Sequence, residues 1–168
     1  MNTRAPCLFR PFAALLVAVI VIGFCVPPAA AAGLTTAESS AKTERLLADS
    51  GHTFVKKTDT VWFIEYHGKS LANYKVIVAV EDDLMVVFVT VVRKAQMQLT
   101  PEFAEKLLRA SSRFDRVKIG LDNDGDLFVR CDASVRVTDL TEFKALLDQV
   151  ANVSDELYKD IRGSLISP

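Results

Sequence analysis

Leu84 to Val92 reads LMVVFVTVV, eight apolar residues in nine. Residues of this β-branched and aromatic character favour a pleated strand. A strand with one face in water alternates apolar with polar residues, and here only Thr90 interrupts the run. Tyr74 to Glu81 (YKVIVAVE) repeats the pattern just upstream, and Asp82-Asp83 makes a tight turn between the two. The pair therefore predicts an antiparallel hairpin with apolar side chains on both faces, both expected to be covered.

Further strands lie on either side of this hairpin. Thr53 to Lys56 is a short strand, Thr58-Asp59-Thr60 a turn, and Val61 to Tyr66 (VWFIEY) a strand rich in aromatic and β-branched residues. Downstream, Arg116 to Val135 is a second hairpin. Val117, Ile119 and Leu121 alternate in, Asn123-Asp124-Gly125 turns the chain, and Leu127, Val129 and Cys131 alternate back. Helices complete the order. Thr35 or Thr36 caps a first helix running to about Asp49, which Gly51 ends. Thr100, Pro101 and Glu102 start a second. Asp139 and Glu142 form a capping box for the last. Its stripe is Phe143, Leu146, Leu147, Val150, Leu157 and Ile161, with a kink expected near Asn152-Val153-Ser154. The fold class is α+β in the order α-β-β-β-β-α-β-β-α: a mainly antiparallel sheet of five to six strands with helices packed on one face.

Three helices of this length cover one face of such a sheet, but hardly two. Something else is therefore expected against the sheet: by preference a second copy of the chain or a protein or peptide client, the alternative being the domain's own ends, with the long C-terminal helix or the N-terminal segment wrapping round. Val76, Val78, Val80, Met85, Val87, Val89 and Val91 are the candidate partner-binding residues.

The N-terminus reads as a secretory leader. Arg4 and Arg10 are its only charges, Phe12 to Val26 is an uncharged apolar run, and Pro27-Pro28 precedes Ala29 to Ala32. A spanning helix wants about 20 apolar residues, which this run reaches only across the proline pair. Residues 1–32 are thus expected to be a signal peptide cleaved between Ala32 and Gly33, the alternative being a retained anchor; cleavage leaves residues 33–168 as one domain in the periplasm or outside the cell, with no membrane attachment.

The chain carries 20 basic and 21 acidic residues, with net charge −1. No basic stripe stands ready to neutralise phosphates, so nucleic acid is not an expected partner. Past the leader, Cys131 is the sole cysteine, which excludes an internal disulfide after cleavage. Neither it nor His52 or His67 has the neighbours that a zinc site or a nucleophile needs. The sequence contains no nucleophile elbow, HExxH, P-loop or dinucleotide fingerprint, so neither catalysis nor a cofactor is expected.

Asp122-Asn123-Asp124-Gly125-Asp126 is the one acidic cluster. Asp122, Asp124 and Asp126 share the opening spacing of an EF-hand loop, but Leu127 stands where that loop needs glycine and Ala133 where it needs glutamate. The cluster reads first as a hairpin turn held by aspartates. Its alternative role is as a cation site in a sensor or enzyme.

The segment Lys118 to Asp132 (KIGLDNDGDLFVRCD), with the Leu107-Leu108-Arg109-Ala110 helix before it and the helix after it, resembles the YbjN domain family. The resemblance covers most of Ala41 to Ile161. It implies the fold of type III secretion chaperones, a role in sensory-transduction regulation and, by relation to those chaperones, homodimers that bind extended client segments. It brings no catalytic residues. A leader departs from the pattern of a cytosolic secretion chaperone, so that specific role is not expected. The expectation is an exported, non-catalytic protein-binding module.

Overall fold

The computed structural model describes residues 33–166. The leader and the Ala32 side of its expected cleavage site lie outside them. Within these residues α1 spans Thr36–Ser50, β1 Phe54–Thr58, β2 Val61–Tyr66, β3 Tyr74–Glu81, β4 Leu84–Val92, α2 Pro101–Ser111, β5 Lys118–Leu121, β6 Leu127–Ser134 and α3 Leu140–Ile161. The element order is the expected one. Six strands form one antiparallel sheet in the order β1-β2-β3-β4-β6-β5.

Helix ends follow local chemistry. Thr35 caps α1 in a complete box: its hydroxyl accepts from Glu38 N at 3.4 Å, and its own N–H donates to Glu38 Oε2 at 2.9 Å. Gly51, at φ 84°, closes the helix in the left-handed region that glycine enters without penalty. Thr100 caps α2 ahead of Pro101. Asp139 caps α3 by accepting from Glu142 N at 2.8 Å. The expected box there is only half formed, because the Glu142 carboxylate pairs with Arg116 instead. The helix does not break at the expected kink near Asn152-Val153-Ser154: α3 runs on for 22 residues. Ser154 fits inside it by donating its hydroxyl to the Val150 carbonyl at 2.7 Å.

The four inner strands alternate their burial with the two-residue period of the pleat, whereas the edge strands β1 and β5 do not. One side carries Trp62 and Ile64 of β2, Val76, Val78 and Val80 of β3, Met85, Val87 and Val89 of β4, and Leu127, Val129 and Cys131 of β6, all buried. That side meets Leu46 and Leu47 of α1, Phe103 of α2, and Phe143, Leu147, Val150, Leu157 and Ile161 of α3 in one core. α3 lies along β3, β4 and β6, α1 packs on β3 and α3, and α2 on β5. We call this the covered face.

Candidate functional site

The seven side chains expected to meet a partner are core. Val76, Val78, Met85, Val87 and Val89 are 0% exposed, Val80 6% and Val91 5%. They stand on the covered face, where the helices of the same chain already fill the space. This corrects the sequence expectation, and the reason is parity. Side chains one residue apart point to opposite faces, and the charges at Lys75 and Glu81 mark the other set as the outward one.

The opposite face is also apolar. Val55, Phe63, Ile77 and Phe88 stand opposite one another across β1, β2, β3 and β4, and the same row continues to Arg130 on β6 and Lys118 on β5. A second row runs Val61, Ala79, Val86, Asp132. Phe63, Ile77, Ala79, Val86 and Phe88 are half-buried by their neighbours within the sheet. Among the described residues the helices pack on the other side, so this is the open face. The hairpin is thus two-sidedly apolar, as its sequence implies, with only one side covered by the described chain.

The charges around the patch are arranged rather than scattered. Lys57 Nζ and Lys75 Nζ lie 5.3 and 5.8 Å from the centre of the Phe63 ring, where the ring's electron-rich face attracts cations. At the other end Asp132 binds two cations. Arg130 donates Nε to Asp132 Oδ1 at 2.5 Å and a terminal nitrogen to Oδ2 at 3.1 Å, while Lys118 Nζ reaches Oδ2 at 2.6 Å. Burial works to raise the Asp132 carboxyl, but the bonds from Arg130 and Lys118 outweigh it and hold the group below the ordinary carboxylate range. Beside this cluster lies a depression of about 260 Å³ lined by Val86, Phe88, Thr90, Asp122, Phe128 and Arg130.

The edges of the sheet are poorly suited to strand addition. β1 shifts register between Lys56 and Thr58 and is exposed along four of its five residues, three of them polar. β5 is only four residues long. Irregular, charged and short edges discourage pairing with another chain.

The other residues singled out from sequence do local work. In the acidic hairpin, Asp122 Oδ1 accepts from Asp124 N at 3.0 Å and Asp126 N at 2.9 Å, Asp126 Oδ1 accepts from Lys94 N at 2.8 Å, and Gly125 supplies a φ of 85°. These aspartates hold a turn. Among the described residues no group of three or more His, Cys, Asp or Glu is placed to hold a metal ion. His52 Nε2 lies 3.3 Å from the Tyr66 hydroxyl, and His67 Nδ1 2.7 Å from Asn73 Oδ1. Cys131 is buried, its thiol pushed up in pKa by that burial, and donates to the Arg116 carbonyl at 3.1 Å. Of these residues Asp122 also lines the depression on the open face.

Two anchors were not visible in the sequence. Asp83 ties the β3–β4 turn to the end of β6, accepting from Ser134 Oγ at 2.6 Å and Arg136 N at 2.8 Å. Asp155 of α3 holds the β2–β3 loop, accepting from the N–H groups of Ser70 and Leu71, both at 2.7 Å. The open face itself had a signal: Lys75, Ile77, Ala79 and Glu81 share one parity, and Phe128, Arg130 and Asp132 another.

No family model matches the chain, and no curated protein matches it in sequence. Solved structures do match in fold. YbjN from E. coli superposes with a TM-score of 0.55 at 15% identity, covering 76% of this chain and 95% of that one. The ExsC–ExsE complex gives 0.53 at 12%, covering 75% and 95%. The heterodimeric ExoU–SpcU complex of the Pseudomonas aeruginosa type III secretion system gives 0.52 at 18%, covering 69% and 94%. The fold expected from the Lys118–Asp132 hairpin and its flanks, shared by YbjN and type III secretion chaperones, is the fold of this chain.

Proposed function

We propose that this protein is an exported, non-catalytic binding module that takes a protein or peptide partner on the open face of its sheet. One observation carries the reading: Phe63, Ile77, Ala79, Val86 and Phe88 are neighbours on three central strands, with no helix of the described chain above them. Contiguous apolar surface on a folded domain marks interaction sites. The blunted edges turn recognition toward the face. Two of the structures that share the fold, ExoU–SpcU and ExsC–ExsE, are complexes of two proteins, which supports a protein rather than a small molecule as the partner.

Export belongs to the same proposal, with cleavage between Ala32 and Gly33 and residence in the periplasm or outside the cell. So does a homodimer as the form in which the module works, and a regulatory rather than a catalytic role. N-terminal sequencing of the secreted protein tests the first, and light scattering across concentrations the second. Binding is tested by Phe88→Ser, which changes one half-buried side chain on the open face and none in the core. Loss of the partner that co-purifies with the wild-type protein, with the melting temperature nearly unchanged, supports the reading. Retention of that partner at wild-type yield rejects it.

A further inference from the structure

α1 and α3 both lie on the covered face, but they are held there differently. α3 buries nine residues, eight of them apolar. α1 buries five, and three of these carry hydroxyls: Ser39, Thr43 and Ser50, beside Leu46 and Leu47. A hydroxyl buried without a hydrogen bond costs free energy that an apolar group does not. Ser50 Oγ avoids that cost by donating to the Leu47 carbonyl at 2.7 Å. Ser39 and Thr43 do not. Their hydroxyls, and that of Ser40 beside them, are enclosed and find no partner among the described residues. None of the three bonds back to the carbonyl one turn earlier, as Ser154 does within α3.

The sheet beneath repeats the deficit. Trp62 is fully buried, and its indole Nε1 is also without a partner among the described residues, although a buried indole N–H usually finds one. Lys56 connects this ring to α1. It stands opposite Trp62 in the β1–β2 register, and its Nζ lies 6.0 Å from the ring centre. The same Nζ donates to Glu44 Oε2 of α1 at 3.0 Å. On its other side Trp62 faces Val78 of β3, the strand on which α1 packs. Further ties of α1 are polar and exposed: Thr36 Oγ1 donates to Asp82 Oδ1 at 2.8 Å, and Lys42 Nζ to the Arg136 carbonyl at 2.9 Å. Both helix ends are closed locally, by Thr35 with Glu38 at the start and by Gly51 at the end. Neither cap depends on the helix staying docked.

We infer that α1 is a releasable strap. It lifts from the covered face as one unit, with Gly51 as its hinge, while the rest of the sheet and α3 stay folded. Lifting uncovers the apolar side of β2 and β3 around Trp62. The hydroxyls and the indole N–H that lack partners under the docked helix regain water in the open form, which narrows the gap between the two forms. Leu46 and Leu47 supply the apolar burial that favours the closed one. Elements held by few buried apolar contacts are the ones that open below the free energy of global unfolding. The device is separate from the open face, since it acts on the opposite side of the sheet. The closed form shows apolar surface on one side of the sheet, and the open form shows it on both.

Native-state hydrogen exchange on the isotope-labelled purified protein, followed by NMR, tests this. The amides of Leu46, Leu47 and Ala48 are expected to share one protection value, at least about tenfold below that of Val87 and Val89 in β4 and Val150 in α3. Trp62 is the sole tryptophan, so its indole N–H gives a single signal in the same spectra. That proton should exchange with the α1 amides and not with β4. Thr43→Val nearly keeps the side chain's shape and helix propensity while removing one unpartnered hydroxyl. It should raise the protection of the α1 amides several-fold and leave β4 unchanged. Protection of α1 within tenfold of β4 and α3 overturns the inference, because the helix then opens only with the whole domain. An indole N–H that follows β4 overturns it too, because α1 then frays without uncovering Trp62. So does unchanged or lowered protection in Thr43→Val, which would mean that the hydroxyl costs the docked helix nothing.

Discussion

Gly68 lies so close to Asp155 that a β-carbon on the glycine would collide with Asp155 Oδ1 and stand 2.7 Å from the Leu71 carbonyl oxygen. The glycine allows the β2–β3 loop to wrap the carboxylate, and Asp155 in turn pins that loop to α3. Gly68→Ala pushes against backbone, which cannot yield as a side-chain tip would. It is expected to cost about 1–3 kcal/mol, read by urea denaturation. Asp155→Ala, which removes the acceptor of two short bonds, should mobilise the same loop in amide hydrogen exchange. Unchanged protection of Ser70 and Leu71 would contradict this role.

The same carboxylate predicts an acid limit to stability. Burial works to raise its pKa, but the bonds from the Leu71, Ser70 and Lys69 backbone outweigh it, and the group sits below its ordinary value of 3.8. A depressed carboxyl stabilises the fold above its unfolded pKa and stops doing so as pH falls through the native one. Melting temperature should therefore drop from about pH 4 downward, and Asp155→Asn should show a shallower drop. An identical acid profile in the variant would contradict the assignment.

Tyr74 sets a limit at the other end. Its hydroxyl donates to the Ala151 carbonyl at 3.0 Å, and burial, aided by the Asp155 charge, pushes its pKa up to about 12. A raised tyrosine favours the native state while protonated. Stability is full below the unfolded pKa of about 10 and is lost as pH rises toward the native value. Absorbance titration should show Tyr74 ionising late, and Tyr74→Phe should flatten the alkaline fall in melting temperature.

The two faces of the sheet should respond oppositely to truncation. Trp62 is 0% exposed on the covered face, and Trp62→Ala is expected to destabilise by about 3–5 kcal/mol. Phe88→Ala, on the open face, should cost about 1 kcal/mol or less while abolishing partner binding. Equal destabilisation by the two would mean that the open face is covered after all.

The acidic hairpin is expected to behave as a turn. Millimolar calcium should leave the melting temperature unchanged, since a ligand that binds only the folded state must raise it. Asp122→Ala, which strips the Asp124 and Asp126 amides of their acceptor, should destabilise the β5–β6 hairpin with or without calcium.

Much of the fold was legible because local signals agreed with one another. The Thr35 cap, Gly51, Thr100-Pro101 and the Asp-Gly turn each placed an element boundary that the chain uses. The two-sided apolarity of Leu84 to Val92 was legible too, but not which side the helices take. Density of apolar residues carries no direction; the charges that share a parity with Ile77 and Phe128 do. What stayed hidden was long-range: Asp83 with Ser134, Asp155 with the β2–β3 loop, and Gly120 under Phe128, each joining residues whose proximity only the folded sheet creates. The α3 capping box misled in one half for the same reason: Asp139 caps the helix as expected, but the Glu142 carboxylate is drawn to Arg116 across the structure.

Photo-crosslinking in the native envelope tests most directly whether the open face is where a partner sits. A benzoylphenylalanine placed at Phe88, central on that face, is compared with one at Glu156, exposed on the outer side of α3. A discrete adduct to another protein from position 88 and none from position 156 is the predicted result. An adduct from 156 alone would put the partner on the helices and contradict the account.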